Sequence, residues 1–189
     1  MSSQLEGRRI AALVEDGFEE TEFTGPAEAL RNAGARVDIV SPREDTVKSW
    51  SHGNWGREYQ VDVPLLSADP NAYDALLIPG GVRSPDRMRR NPTAWRLIQA
   101  FFTAEKPVAV ICHGPWMLID SGVIDGRRLT SYPSLQMDLR NADADWVDQE
   151  VVVDRGLITS RRPEDIPAFN KAFIEQLERS PQRRVAAGR

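Results

Sequence analysis

Four short runs of branched apolar residues, at positions 10–14, 37–40, 75–78 and 108–111, are each bounded by turn-forming residues. Runs of this length without polar alternation read as strands buried on both faces, the usual condition of parallel sheets. Between them lie segments with helical signals. Residues 26–32 begin at Pro26 and stop before Gly34, and residues 93–104 follow Asn91 as N-cap with Pro92 at the first helical position. Strands alternating with helices in this way predict an α/β fold with a doubly wound, mostly parallel sheet sandwiched between helices. Such sheets bind ligands at the carboxyl ends of their strands, so the loops after the four runs are where chemistry is expected.

Other segments interrupt the alternation. Residues 48–63 hold Trp50, His52, Trp55 and Tyr59 with Val61 and Val63, which predicts a small antiparallel excursion. Residues 150–153 and 157–160 flank Asp154-Arg155-Gly156 and read as a hairpin. A last helix is expected from Pro163, with Ile166, Phe169, Phe173, Ile174 and Leu177 at helical spacing. The organisation expected is an N-terminal extension over residues 1–8, a single domain over 9–178 and a flexible basic tail over 179–189.

Composition narrows the partners. Lys and Arg number 24 against 28 Asp and Glu, a formal charge of −4, and no cationic stripe is present to neutralise phosphates, so nucleic acid is not expected as a partner. The single cysteine cannot form an internal disulfide, and the start shows no basic segment followed by an apolar core. Both point to a reducing, cytoplasmic location. No apolar stretch approaches the roughly 20 residues that span a bilayer. One cysteine and two histidines far apart are too few ligands for a structural zinc site, and no metal or other cofactor is expected.

The sharpest chemical pattern is Val108-Ala109-Val110-Ile111-Cys112-His113-Gly114-Pro115, a buried strand running into a cysteine, then glycine, then a proline able to open a helix. A tight strand-to-helix turn lifts the nucleophile out of the sheet, and amides at a helix N-terminus favour thiolate. The bland alternative is an inert buried cysteine. His113 stands as a candidate base or as a structural histidine. Two other post-strand loops matter. Glu15-Asp16-Gly17-Phe18-Glu19-Glu20 places four carboxylates where one can face the thiol. Pro79-Gly80-Gly81-Val82-Arg83-Ser84-Pro85-Asp86 has paired glycines, so the amides of Gly80 and Gly81 are candidates for an oxyanion or substrate-binding site, or simply a tight turn.

Together these loops resemble the PfpI branch of the ThiJ/PfpI superfamily. The likeness runs through Asp16-Gly17-Phe18-Glu19-Glu20, Thr24-Gly25-Pro26, Leu77-Ile78-Pro79-Gly80-Gly81, Ile111-Cys112-His113-Gly114-Pro115, Thr130-Ser131-Tyr132-Pro133-Ser134 and Trp146-Val147-Asp148. It implies a flavodoxin-like sandwich related to class I glutamine amidotransferases, in a family of stress proteins, intracellular peptidases and glyoxalases or protein deglycases. Carried over by position, Cys112 is the nucleophile, His113 its neighbour and base, and Glu19 a protonated carboxyl on the sulfur. Asp86 stands where peptidase members have a glutamate that reaches a partner subunit's cysteine and histidine. A homo-oligomer is therefore implied, at least a dimer.

An amidotransferase needs a histidine far downstream of its cysteine, and none follows His113. The leading expectation is a stress-protective enzyme acting on small reactive aldehydes or their protein adducts. The alternatives are an intracellular cysteine peptidase and a non-enzymatic redox sensor or chaperone.

Overall fold

The computed structural model describes residues 4–182. In chain order the strands are β1 (Arg9–Leu13), β2 (Phe18–Glu19), β3 (Arg36–Ser41), β4 (Thr46–Ser51), β5 (Asn54–Gln60), β6 (Val63–Pro64), β7 (Ala75–Ile78), β8 (Val108–Ile111), β9 (Arg128–Leu129), β10 (Asp145–Trp146), β11 (Val151–Asp154) and β12 (Leu157–Ser160). The α-helices are α1 (Glu20–Asn32), α2 (Arg83–Met88), α3 (Pro92–Thr103), α4 (Trp116–Asp120), α5 (Gln136–Asn141) and α6 (Ile166–Arg179).

Seven strands form the main sheet in the order β11-β12-β8-β7-β1-β3-β6, parallel throughout except for β11. Side chains alternate across a strand, and the alternation divides the interior into two cores. Ala11, Leu13, Leu76, Ile78, Val108 and Val110 pack with α3 residues Leu97, Ile98 and Phe101 on one face. Ile10, Ala12, Leu77, Ala109 and Ile111 pack with Phe23 and Leu30 of α1 and Phe169 and Phe173 of α6 on the other. Each of the larger side chains among these contributes about 1.5–3 kcal/mol by leaving water. This is the doubly wound sandwich expected. The chain turns one way from β1 to β3 and the other way to β7, so the carboxyl ends of β1, β7 and β8 open onto one crevice.

The hairpin of β11 and β12 pairs antiparallel from Val151 with Ser160 to Asp154 with Leu157. The aromatic excursion is a three-stranded sheet in which β4 and β5 are antiparallel and the short β2 joins β4 in parallel.

Two boundaries differ from expectation. Helix α1 starts at Glu20, so Pro26 lies inside it rather than at its start. The missing N–H of Pro26 costs one helical hydrogen bond, and burial of Phe23, Pro26, Ala27 and Leu30 holds the segment helical regardless. Described segments next to the expected domain bounds pack against the domain. Leu5 is buried and donates its N–H to Ala33 O, while the Arg8 guanidinium donates to Leu177 O, Ser180 O and Pro181 O. Residues 183–189, most of the expected tail, lie outside the described residues.

Candidate active site

Cys112 sits directly after β8 with φ +62°, a left-handed backbone that a residue with a side chain rarely adopts. The surrounding chain fixes it: Cys112 N–H donates to Ser160 O at 3.1 Å, its carbonyl accepts from Tyr132 N–H at 2.9 Å, and Gly114 N–H closes the turn on Ile111 O at 3.0 Å. Gly114 is required at this point because a Cβ there would lie 2.7 Å from Val110 Cγ1. Helix α4 follows at Trp116, so the expected strand, elbow and helix are present, and the sulfur faces a cavity of about 590 Å³.

The loops after β1, β7 and β8 meet in that cavity. Its lining includes Gly17, Glu19, Glu22, Trp50, Gly81, Arg83, Asp86, Cys112, His113 and Tyr132. A second cavity of about 570 Å³ lies among Phe102, Lys106, Arg127 and Arg155 at the opposite end of the strands and holds no thiol.

The carboxyl that meets the sulfur belongs to Glu22, not to Glu19 as the family resemblance implied. Glu22 is fully buried, accepts Gly80 N–H on Oε2 at 2.9 Å and lies beside Cys112, both closing on the space where a Gly80 Cβ would stand. Its Oε1 has no hydrogen-bond partner among the described residues. Glu19 directly precedes α1 without capping it, and its carboxyl accepts from Thr21 Oγ1 at 3.4 Å, at the cavity wall rather than on the thiol. The physical reason is helix phase. Because α1 begins at Glu20, its inward face carries Glu22, Pro26 and Leu30 at intervals of four, with Phe23 and Ala27 beside them. That register was present in the sequence, hidden by a helix start placed at Pro26.

Burial raises the Glu22 carboxyl to about 8, so it holds its proton at neutral pH. Glu19 is raised as well, by burial above all. Burial also pushes the Cys112 thiol up, and a negative charge on Glu22 pushes it further, against the amides of Gly81 and His113 that draw it down. Net thiolate preference at the elbow was the sequence expectation, and the five-residue α4 does not outweigh burial. With Glu22 protonated, however, the repulsive charge is absent, and a carboxyl O–H beside the sulfur is a donor for a thiolate when one forms.

His113 turns toward the thiol. Its Nδ1 lies 3.2 Å from Sγ and its Nε2 3.3 Å from Ser134 Oγ, and the ring stacks on Tyr132 with centroids 4.8 Å apart. Burial lowers its pKa, so the neutral ring predominates near pH 7. In sequence Tyr132 and Ser134 belong to the family likeness without a role of their own.

Of the two loop glycines, Gly80 N–H is committed to Glu22, so it is not a free oxyanion donor as expected. The Gly81 amide faces the Cys112 sulfur along with that of His113. Gly81 has φ +76°, and a Cβ on it would lie 2.8 Å from Glu19 N and Gly17 O. Asp86 lies on α2 at the cavity mouth, exposed, with no side-chain hydrogen bond or ion pair among the described residues. It does not reach His113 within the chain, whose Nε2 faces Ser134. His52 is a turn residue of the β4–β5 hairpin, φ +50°, with Nδ1 2.9 Å from Ser51 Oγ. Among the described residues no cluster of His, Cys, Asp and Glu has the arrangement of a metal site, and no helix is long and apolar enough to cross a membrane.

The DJ-1/PfpI family model matches residues 8–176. General stress protein 18 of Bacillus subtilis is 41% identical over 174 residues, which cover 92% of this chain and 99% of that protein. A deglycase of Pyrococcus abyssi is 40% identical over 170 residues, 90% of this chain and 99% of its own. Among solved structures, Drosophila melanogaster DJ-1beta is 29% identical and superposes with a TM-score of 0.83 over 90% of each chain.

Proposed function

The chain belongs to the DJ-1/PfpI family, and from that premise we propose that it is a stress-protective enzyme that uses Cys112 against α-oxoaldehydes such as methylglyoxal, free or as protein adducts. One observation carries the reading: a thiol, a neutral imidazole and a carboxyl that keeps its proton at pH 7 meet at one cavity floor. Peptide hydrolysis needs a base held by an acid, whereas addition to an aldehyde needs only a thiolate and a proton source.

The thiol proton passes to His113 Nδ1, and the sulfur attacks the aldehyde carbon. A C–S bond forms, the carbonyl electron pair moves to oxygen, and that oxygen takes the proton from His113 to give a neutral hemithioacetal. Glu22 supports the transient thiolate by hydrogen bonding, and the Gly81 amide offsets developing negative charge. A base then removes the proton on the former aldehyde carbon, and its electron pair forms an enediol as the neighbouring carbonyl oxygen gains a proton. Return of the proton to that neighbouring carbon, with loss of the hydroxyl proton on the sulfur-bearing carbon, leaves a thioester that water cleaves to a 2-hydroxy acid and the free thiol. One carbon is oxidised as its neighbour is reduced, so no external electron acceptor enters.

Similarity to a general stress protein and to a deglycase supports the stress and carbonyl parts of this reading. The test is lactate formation from methylglyoxal by the purified protein. Turnover by wild type and its loss in Cys112→Ala are expected; no lactate, or equal rates for the two proteins, would overturn it.

The proposal extends to a cytoplasmic homo-oligomer. Trp50 and Trp55 are 36% and 45% exposed on the small sheet, and β5 is its outer strand, which is a surface suited to a second copy. Sedimentation of only a 21.2 kDa species at micromolar concentration would contradict it. In such an assembly Asp86, unpartnered in its own chain, favours a cysteine peptidase as the second reading; casein cleavage lost in both Cys112→Ala and Asp86→Asn would establish that activity instead.

A further inference from the structure

We propose that Arg83 makes the Cys112 cavity selective for substrates that carry a carboxylate a few bonds from the reactive carbon. Arg83 opens α2 and lines the same cavity as Cys112, His113 and Gly81. It has no hydrogen-bond or ion-pair partner among the described residues. Its side chain is nevertheless held in place. The stem lies flat on Gly17, where a Cβ would come within 2.8 Å of Arg83 Cβ and Cδ, and the guanidinium sits 5.1 Å from the ring centre of Trp55. Stacking satisfies the face of a guanidinium and leaves its in-plane N–H groups open, and that fork matches a carboxylate.

The acids nearby do not use this charge. Asp86 is on the same short helix and forms no ion pair with Arg83. Glu22 is protonated at neutral pH and Glu19 is shifted the same way, so the cavity floor carries less negative charge than its composition suggests. A positioned, unneutralised cation at the rim of a site whose floor holds a protonated carboxyl is a specificity element. It extends the aldehyde reading by naming the substrate class as α-oxoaldehydes bearing a carboxylate, and it rests on that reading only for the identity of the reaction.

Cys112 is the only cysteine, so alkylation reports this site alone. Iodoacetate and iodoacetamide both form a C–S bond as iodide leaves, and they differ by carboxylate against amide. The ratio of their rates at Cys112, divided by the same ratio for N-acetylcysteine, measures anion preference without any aldehyde chemistry. The expected value for wild type is about five- to tenfold above the free thiol, the factor given by about 1 kcal/mol or slightly more. Arg83→Met keeps an unbranched stem for Gly17 and Trp55. It should lower the iodoacetate rate at least about fivefold more than the iodoacetamide rate, with Arg83→Lys between the two. Equal ratios in wild type and Arg83→Met, equal losses on both reagents, or altered sedimentation of Arg83→Met would overturn the proposal.

A second arm compares turnover of 4,5-dioxopentanoate with that of 2-oxopentanal, which is similar in length and lacks the carboxylate. A preference for the acid that collapses in Arg83→Met supports the proposal. Turnover of both with an unchanged ratio in Arg83→Met defeats it and leaves the aldehyde reading standing. A falling alkylation ratio in a protein that turns over neither compound supports anion selectivity and defeats the aldehyde reading.

Discussion

Glu22 and Cys112 face each other across the space that Gly80 leaves open: a Cβ on Gly80 would lie 2.6 Å from Glu22 Oε2 and 2.7 Å from Cys112 Cβ. Three post-strand segments meet at that point, α1 after β1, the Gly80 turn after β7 and the elbow after β8. Their meeting is a consequence of sheet order, which sets β1, β7 and β8 side by side. The chemistry of the thiol is thereby tied to the packing of a helix distant in sequence.

The first prediction concerns stability against pH. The Glu22 carboxyl ordinarily titrates at 4.5 and is raised to about 8 in the folded chain. Between those values the folded state keeps a proton that the unfolded state has released. The stability linked to this group is therefore full below pH 4.5 and is lost as pH rises through 8. Glu22→Gln cannot titrate, so its thermal midpoint should fall less than that of wild type between pH 5 and 8.5. The differential is on the order of a few kcal/mol. Parallel profiles for the two proteins would show that Glu22 ionises normally.

Gly80→Ala should destabilise the fold by about 1–3 kcal/mol, the usual range for overpacking. The added methyl meets Cys112 Cβ and also Ile111 O at 2.8 Å, and neither belongs to a flexible side-chain end. Turnover and the alkylation rate of Cys112 should fall together, since the carboxyl and the thiol are pushed apart. Gly122→Ala is the control, because a Cβ there meets nothing within 4 Å and only its φ of +67° adds strain. Denaturant unfolding and methylglyoxal turnover check both variants. Wild-type values for Gly80→Ala would refute the close approach.

Much of this architecture was legible because buried parallel strands are continuous apolar runs; residues 75–78 and 108–111 are strands as read. Cys112 was legible through punctuation, since Gly114 and Pro115 mark a turn whatever surrounds them. Glu22 was missed because proline ordinarily opens helices, and Pro26 drew the start of α1 too late. The Phe18–Glu19 strand gave no local periodicity, as its partner is the distant pair Ser49 and Trp50. Ser134 is one loop hydroxyl among several in sequence, and only the position of the His113 ring singles it out.

The clasp between the chain ends yields a prediction separable from catalysis. Arg8 is 8% exposed, and its guanidinium donates to Pro181 O at 2.9 Å, Leu177 O at 2.7 Å and Ser180 O at 2.6 Å. Arg8→Met retains the stem and leaves those carbonyls without this donor, a loss of about 2–4 kcal/mol. Thermal unfolding should shift down, while kcat and KM at 25 °C stay at wild-type values because Arg8 lies outside the Cys112 cavity. An unchanged midpoint would mean that the ends are not held by this residue.

The last prediction addresses His113. If Nδ1 accepts the thiol proton, Nε2 carries the ring hydrogen and donates it to Ser134 Oγ, so Ser134 selects the tautomer. His113→Ala should lower kcat/KM about 10²-fold, as loss of a general base does. The neutral ring is the working form, so activity should fail as pH drops through the His113 pKa. Burial lowers that value, which sets the acid limb of the profile below the usual 6.5. His113→Gln keeps a side-chain amide near sulfur and cannot titrate, so its residual activity should lack that limb. Ser134→Ala removes the acceptor for Nε2–H and should reduce kcat up to about tenfold with little change in KM. Ser134→Thr, which restores a hydroxyl, should recover most of the loss. Steady-state rates from pH 4.5 to 8 decide the matter: an acid limb that persists in His113→Gln, or a Ser134→Ala rate equal to wild type, would remove His113 from proton transfer and leave it a packing partner of Tyr132.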